Sequence, residues 1–318
     1  MSAYVSRSSN KIILIPYAEK QGANTGVNIA ATNKRQEIYM KNCCVSACSA
    51  KKNNQDADVA IVTNIDFPDK FVQILKNNRV SIIKVPFDKF FLGDSYVWSL
   101  AFYKLCALYH IVREYDYQYY AYLDADVYVQ MSFENIWKEC DHNIILYDIN
   151  HGLQVNDYKI FLREIEEFYR ETKIITHYGG EFFAANRENA LVFSACCEKI
   201  CKQMMDIQFK TTKGDEFILS VAAHEMKEII KNAGAYVYRF WTGGFRLVSS
   251  CFLYNPVAVL HVPAEKESGI ITLFDRYFAK QKVPSNNAVY RILHLKRRAL
   301  RVSVSMNLKR IIRCIVRR

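Results

Sequence analysis

Apolar residues fall along this chain in short unbroken runs divided by polar turns, and the spacing within the runs alternates between strand-like and helical. "KIILIPYA" (11–18) is almost wholly apolar and reads as a strand buried on both faces. A helix is predicted across 34–52, a strand at 58–64 ("DVAIVTN"), a short helix near 68–77 and a third strand at 80–87 ("VSIIKVPF"). Residues 96–115, "YVWSLAFYKLCALYHIVREY", place apolar side chains at helical spacing and end in charge. The first half of "YYAYLDADVYV" (119–129) is a fourth strand and "NIILYDI" (143–149) a fifth. Strands alternating with helices predict a parallel sheet of the nucleotide-binding type, where ligands gather beyond the carboxyl ends of strands.

The second half is mixed. It predicts a charged helix across 156–172, a turn plus strand at 177–187 ("HYGGEFFAANR"), and helices near 188–205 and 214–232. Strands follow at 235–241 ("AYVYRFW") and 257–263 ("VAVLHVP"). No repeat or low-complexity linker divides the chain, so 1–290 reads as one α/β domain.

Composition adds bounds to this pattern. The 318 residues are 51% apolar and 14% aromatic, enough to bury a large core. No apolar run approaches the roughly 18–20 residues that span a bilayer. The first residues lack a signal-peptide pattern, so the expected location is the cytoplasm. Ten cysteines are present, with trios at 43, 44, 48 and 196, 197, 201 inside predicted helices. Neither trio has zinc-site spacing, and they read as reduced core residues.

Charge separates the body from the end of the chain. Residues 291–318 hold eight Arg and two Lys with no Asp or Glu, which accounts for nearly all of the net +11. Within that stretch Leu293, Leu300, Val304, Leu308 and Ile312 share one side of a helix. Such a basic amphipathic tail predicts a peripheral contact with an anionic membrane surface, on its inner face. Nucleic acid is not an expected partner, because the near-neutral body carries no recognition motif.

Candidate chemistry centres on "YLDADVYV" (122–129), where Asp124 and Asp126 sit one residue apart inside an apolar run. Alternate residues of a strand share a face, so both acids can point to one side where the strand ends. Two such charges about 4 Å apart repel by roughly 4 kcal/mol at an effective dielectric near 20. They stay ionised together only beside a cation, and hard oxygen ligands favour Mg²⁺ or Mn²⁺. A turn acid followed by a helix-capping acid would give the same spacing.

The stretch "FYKLCALYHIVREYDYQYYAYLDADVYV" resembles the donor-binding segment of GT-A glycosyltransferases, most closely family 8, with glycogenin and bacterial lipopolysaccharide galactosyltransferases. That resemblance implies a GT-A fold, a Rossmann-like mixed sheet flanked by helices in a single domain. It implies that Asp126 binds the metal, that Asp124 faces the ribose and shares the metal, and that Lys104 approaches a nucleotide-sugar donor. "VLHVPAEKESG" is similar to the family's late strand, which makes His261 the third metal ligand and Lys266 a diphosphate contact. Here the chain departs from the family's Gly, Pro and Trp around that lysine.

"HYGGEFFAANRE" and "GDEFILS" occupy the places of the family's acceptor-side strand and of an acidic pair opening a helix. Asp215 reads as the helix cap, leaving Glu216 to face the site. Either acid could serve as general base in an inverting reaction, or orient sugar hydroxyls in a retaining one. Glu181, after two glycines, is a further catalytic candidate. Gly22 and Asn24, in the loop "GANTGVN", stand where nucleotide-binding folds receive a base or ribose.

The expected activity is a metal-dependent transfer of a hexose from a nucleotide diphosphate sugar, UDP-linked, to a surface-glycan, lipid-linked or other glycan acceptor. Two other readings use the same residues. A sugar-phosphate nucleotidyltransferase has a similar core, but "PYAEKQGANTG" lacks its arginine signature. A non-catalytic, cation-dependent glycan-binding module would bind without turning over.

Overall fold

A computed structural model describes residues 9–20, 34–94, 96–149, 152–242 and 257–295. Gly22 and Asn24 lie outside these residues, as does the tail beyond Leu295. In chain order the first half contains β1 (Lys11–Tyr17), α1 (Arg35–Asn53), β2 (Asp58–Thr63), α2 (Asp69–Asn77), β3 (Ser81–Lys84) and α3 (Tyr103–Glu114). It continues through β4 (Tyr119–Leu123), β5 (Val127–Val129), α4 (Glu134–Cys140) and β6 (Ile144–Asp148). The second half contains α5 (Asn156–Tyr169), β7 (Tyr178–Asn186), α6 (Arg187–Asp206), α7 (Asp215–Glu225), β8 (Ile230–Asn232) and β9 (Val237–Arg239). It ends with β10 (Val259–His261), α8 (Gly269–Arg276) and α9 (Asn286–Ile292).

Seven strands form the main sheet in the order β3-β2-β1-β4-β7-β6-β8, and β5-β10-β9 form a second, three-stranded sheet. β1, β2, β3 and β4 are parallel, as the alternating pattern predicts. β7 runs against both β4 and β6, so the sheet is mixed. β1, β2 and β4 are buried on both faces, which is why they lack polar alternation, whereas the edge strand β3 buries only Ile83. Ile13 and Ile15 of β1 join one core with α1, α2 and α8, while Ile12 and Leu14 join the other with α3, α6 and α7. β4 repeats the division, with Ala121 and Leu123 on the first side and Tyr120 and Tyr122 on the second.

α1 is buried almost continuously from Met40 to Ala50 although its residues are not strongly apolar. It lies between the main sheet and the small one, touching β1, β2, β5 and α8. Its small Cys, Ser and Ala side chains permit close approach on every side. Two polar side chains of this segment meet backbone N–H groups: Ser49 Oγ accepts from Val129 at 3.0 Å, and Asn54 Oδ1, at the C-cap, from Phe133 at 2.7 Å. Cys43, Cys44, Cys48, Cys197 and Cys201 are buried and Cys196 half-buried, the positions expected of core residues.

Several elements differ from the sequence pattern. The predicted helix at 214–232 ends at Glu225, and a 3₁₀ turn at Lys227–Ile229 leads into β8, which pairs in parallel with β6. Here pairing across the sheet overrides local periodicity. "YLDADVYV" is not one strand: β4 belongs to the main sheet and β5 to the small one, with residues 124–126 between them. α9 crosses residue 290, and Leu293 and Leu295 beyond it are fully buried in the core.

Candidate functional site

Asp124 and Asp126 sit where the chain leaves one sheet for the other, beyond the carboxyl end of β4. Backbone bonds fix this crossing from three directions. The Asp124 N–H donates to the Glu181 carbonyl of β7 at 3.1 Å. The Asp124 carbonyl accepts from Ser46 Oγ of α1 at 3.2 Å, and the Asp126 carbonyl from the Val262 N–H at 3.1 Å. Both acids line a cleft of about 600 Å³, together with Tyr17 at the end of β1, Lys104, Asp215, Glu216, His261 and Lys266. Among the sequence candidates in described residues, only Glu181 is not part of the cleft wall.

His261, the last residue of β10, reaches both aspartates. Its Nε2 lies 3.3 Å from Asp126 Oδ2 and 4.0 Å from Asp124 Oδ2, and one ligand atom from each of the three residues fits within 4.8 Å. Two carboxylates and an imidazole on one point match the donor set of Mn²⁺ or Mg²⁺, with open positions for water and phosphate. The residues therefore fit a divalent cation. Without one, lysines balance the charge: Lys266 Nζ is 3.0 Å from Asp126 Oδ2, and Lys104 Nζ is 3.1 Å from Asp124 Oδ1 and 3.0 Å from Asp215 Oδ2.

The electrostatics follow from this crowding. Burial would raise the Asp126 pKa, but Lys266 and His261 outweigh it and hold the carboxyl well below its usual range. Burial depresses His261, yet Asp126 and Glu181 reverse that and lift it to about 9. Asp215 is the opposite case. Burial dominates over the attraction of Lys104, with Glu216 and Asp124 adding repulsion, and the group rises to about 7.

Asp215 does not cap its helix. Gly214, at φ 62°, is the N-cap residue of α7 and no side chain closes the cap. Asp215 instead turns inward to Lys104, an attraction worth more to a buried carboxylate than a solvated cap bond. Glu216 lines the cleft between Arg239 Nη2 at 3.1 Å and His177 Nε2 at 3.2 Å. Burial alone would raise it, but these partners hold it ionised, with a pKa of about 2. Gly179 and Gly180 make room for these pairs. A Cβ on Gly180 would lie 2.3 Å from Asp215 Oδ2 and 2.6 Å from Lys104 Nζ.

Glu181 is fully buried behind this wall. It accepts from Arg239 Nε at 2.7 Å and Nη2 at 2.6 Å, and its Oε1 lies 3.0 Å from His261 Nδ1. Five carboxylates, at 124, 126, 181, 215 and 216, thus interlock with Lys104, Lys266, Arg239 and two histidines.

Two of these residues escaped the sequence pattern. Arg239 is a charge inside the apolar run "AYVYRFW", a signal that a buried acid must face it. His177 stacks on Phe161 with ring centroids 4.2 Å apart, and its role depends on a contact that spacing does not encode. The loop bearing Lys266 is held by α1 and by Glu265. The Lys266 carbonyl accepts from Asn42 Nδ2 at 3.0 Å, and buried Glu265 accepts from Ser268 Oγ at 2.7 Å and the Gly269 N–H at 3.1 Å.

A second grouping, Asp88, Cys106 and His110, lies outside the cleft. His110 is paired with Asp88 at 2.8 Å and Glu114 at 3.1 Å. Cys106 is fully buried and burial pushes its thiol up to about 12, which opposes the thiolate a metal needs.

No protein-family model and no curated protein matches the chain. Solved structures do. The apo crystal structure of mouse xyloside xylosyltransferase 1 is similar over 80% of this chain and 96% of that one, with a TM-score of 0.51 at 10% identity. The chain shares that fold, a GT-A-like mixed sheet flanked by helices. At that identity the likeness speaks for the arrangement of the sheet and helices alone. No helix among the described residues is long and apolar enough to cross a membrane.

Proposed function

We propose that this chain is a metal-dependent glycosyltransferase that moves a hexose from a nucleotide diphosphate sugar, UDP-linked, onto a surface-glycan, lipid-linked or other glycan acceptor. The observation that carries this reading is the meeting of Asp124, Asp126 and His261 beyond β4, flanked by Lys104 and Lys266 in an open cleft. The fold shared with a xylosyltransferase supports it, as does the family 8 resemblance of the sequence around the two aspartates. A divalent cation held by these three residues would supply Lewis-acid stabilisation of charge on the leaving diphosphate.

The chain's own groups divide the remaining work. Lys266 exchanges its contact with Asp126 for the donor's diphosphate, a trade of one anion for another that keeps the ammonium paired. Lys104 holds Asp124 and Asp215 apart on the sugar side. Glu216, ionised and facing the cleft, orients sugar hydroxyls. Asp215, with a pKa near neutrality, is the better matched of the two to proton transfer from an acceptor hydroxyl if the anomeric centre inverts. The basic tail, whose residues 296–318 lie outside the described residues, brings the enzyme to the inner face of an anionic membrane where a lipid-linked acceptor resides.

A thermal-shift screen over nucleotide sugars, with and without Mn²⁺, tests the donor class. The proposal expects stabilisation by UDP-sugars that requires the metal. Equal shifts with and without Mn²⁺, or none for any nucleotide sugar, would contradict it.

A further inference from the structure

Glu181 is where the site departs from a plain constellation of ligands. The side chain has no exposure, and each oxygen is already engaged by protein. Its Oε2 accepts from Arg239 Nη2 at 2.6 Å, and its Oε1 accepts from Arg239 Nε at 2.7 Å while lying 3.0 Å from His261 Nδ1. Burying a carboxylate costs several kcal/mol unless its partners are well placed. The fold gives up side-chain volume to keep it there, since a Cβ on Gly179 would lie 1.9 Å from Glu181 Oε2 and 2.6 Å from Arg239 Nη2. A salt bridge serving stability alone would not need the imidazole as its third member.

We infer that Glu181 is a positioning residue, clamped by Arg239, that takes the Nδ1–H of His261 and so presents the ring's Nε2 to a divalent cation between Asp124 and Asp126. This rests on the metal-site reading proposed above and adds a role that reading does not require. A neutral imidazole carries one proton, and whichever nitrogen donates leaves the other as the ligand atom. A metal-bound histidine commonly gives its remaining N–H to a carboxylate, which fixes the tautomer and the ring plane. Here the carboxylate cannot swing away. Arg239 holds both its oxygens and also touches Glu216 Oε1 at 3.1 Å, so the same guanidinium ties the metal ligand's support to an acid of the cleft wall. Glu181 therefore acts through His261 and touches neither substrate nor cation.

Metal affinity and the ring's tautomer test this without recourse to turnover. Mn²⁺ titrations by calorimetry should show Glu181→Gln binding about 10–100-fold more weakly than wild type, the range typical for loss of such a support. The double variant Glu181→Gln/His261→Ala should bind no more weakly than His261→Ala alone, because the two residues act as one unit. Unchanged Mn²⁺ affinity in Glu181→Gln, or additive losses, would overturn the inference. Should Glu181→Gln fail to fold, the wild-type protein still decides. With ¹¹³Cd²⁺ as the diamagnetic probe and ¹⁵N-labelled histidine, coupling to cadmium should appear at Nε2 of His261 with the proton on Nδ1. Coupling at Nδ1, or at neither nitrogen while Asp126→Ala abolishes cadmium binding, would sink the inference and leave the metal site standing. A wild-type protein that binds neither Mn²⁺ nor Cd²⁺ would instead remove the metal reading itself.

Discussion

In the proposed metal site, His261 would serve a proton and a cation in turn. Asp126 and Glu181 hold its proton until about pH 9 in the metal-free protein, whereas a cation needs the Nε2 lone pair. Protons and Mn²⁺ therefore compete, and below pH 9 the Mn²⁺ affinity should rise about tenfold per pH unit. Calorimetry at three pH values would measure the slope, and His261→Ala should flatten it. A pH-independent wild-type affinity would mean that His261 is not a ligand. Gly180 is the second informative residue. Gly180→Ala sets a methyl against Asp215 and Lys104, and the resulting overpacking should cost about 1–3 kcal/mol. It should also weaken UDP binding, because Lys104 is the partner of Asp124. Urea unfolding with parallel UDP titrations would reveal a neutral substitution if the pair can simply move aside. The sequence exposes Asp124, Asp126, His261 and Lys266 because each stands in a short motif. Arg239 and His177 stay hidden because their partners, Glu181 and Glu216, are 58 and 39 positions away respectively.

Among the elements, α1 explains how an acidic turn is held still between two sheets. Ser46 supports the Asp124 carbonyl, Ser49 the Val129 N–H, and Asn42 the Lys266 carbonyl. Ser49→Ala would leave the buried Val129 N–H without its acceptor, a loss of about 1–3 kcal/mol. Chemical denaturation should show that destabilisation, and a change near zero would assign the bond no weight. Long periodic runs such as 34–52, and apolar runs such as 11–18, were legible because burial on both faces dictates their composition. β5 was not, since three residues carry too little pattern and their place is set by pairing with β10. β8 was masked by helical spacing that runs on past Glu225. The division of "YLDADVYV" between two sheets is a property of topology, not of any local preference.

At the scale of the whole molecule, a near-neutral body is joined to a strongly basic tail. Leu293 and Leu295 are buried, and His294 Nδ1 lies 3.1 Å from Glu265 Oε1, so the folded body extends to residue 295. The tail is therefore best removed as 296–318. That truncation should keep its thermal transition and its donor hydrolysis, while losing binding to anionic liposomes and most activity on a lipid-linked acceptor. Binding by the full chain should weaken as salt rises, because screening shortens electrostatic reach to about 8 Å at physiological ionic strength. Equal co-sedimentation of both proteins would remove the tail from the membrane contact. In the proposed reaction Asp124, Asp126 and His261 would hold the cation on which cleavage of a nucleotide sugar depends. Release of UDP from a panel of UDP-hexoses, measured after chelation and again after adding Mn²⁺, addresses this directly. The expected result is no release in EDTA, recovery with Mn²⁺, and a loss of at least about 10²–10³ in kcat for Asp126→Ala, the scale of losing one charge-stabilising group. Full turnover in excess EDTA, or conversion of UDP-hexose and added pyrophosphate to UTP and hexose 1-phosphate with no release of UDP, would contradict it.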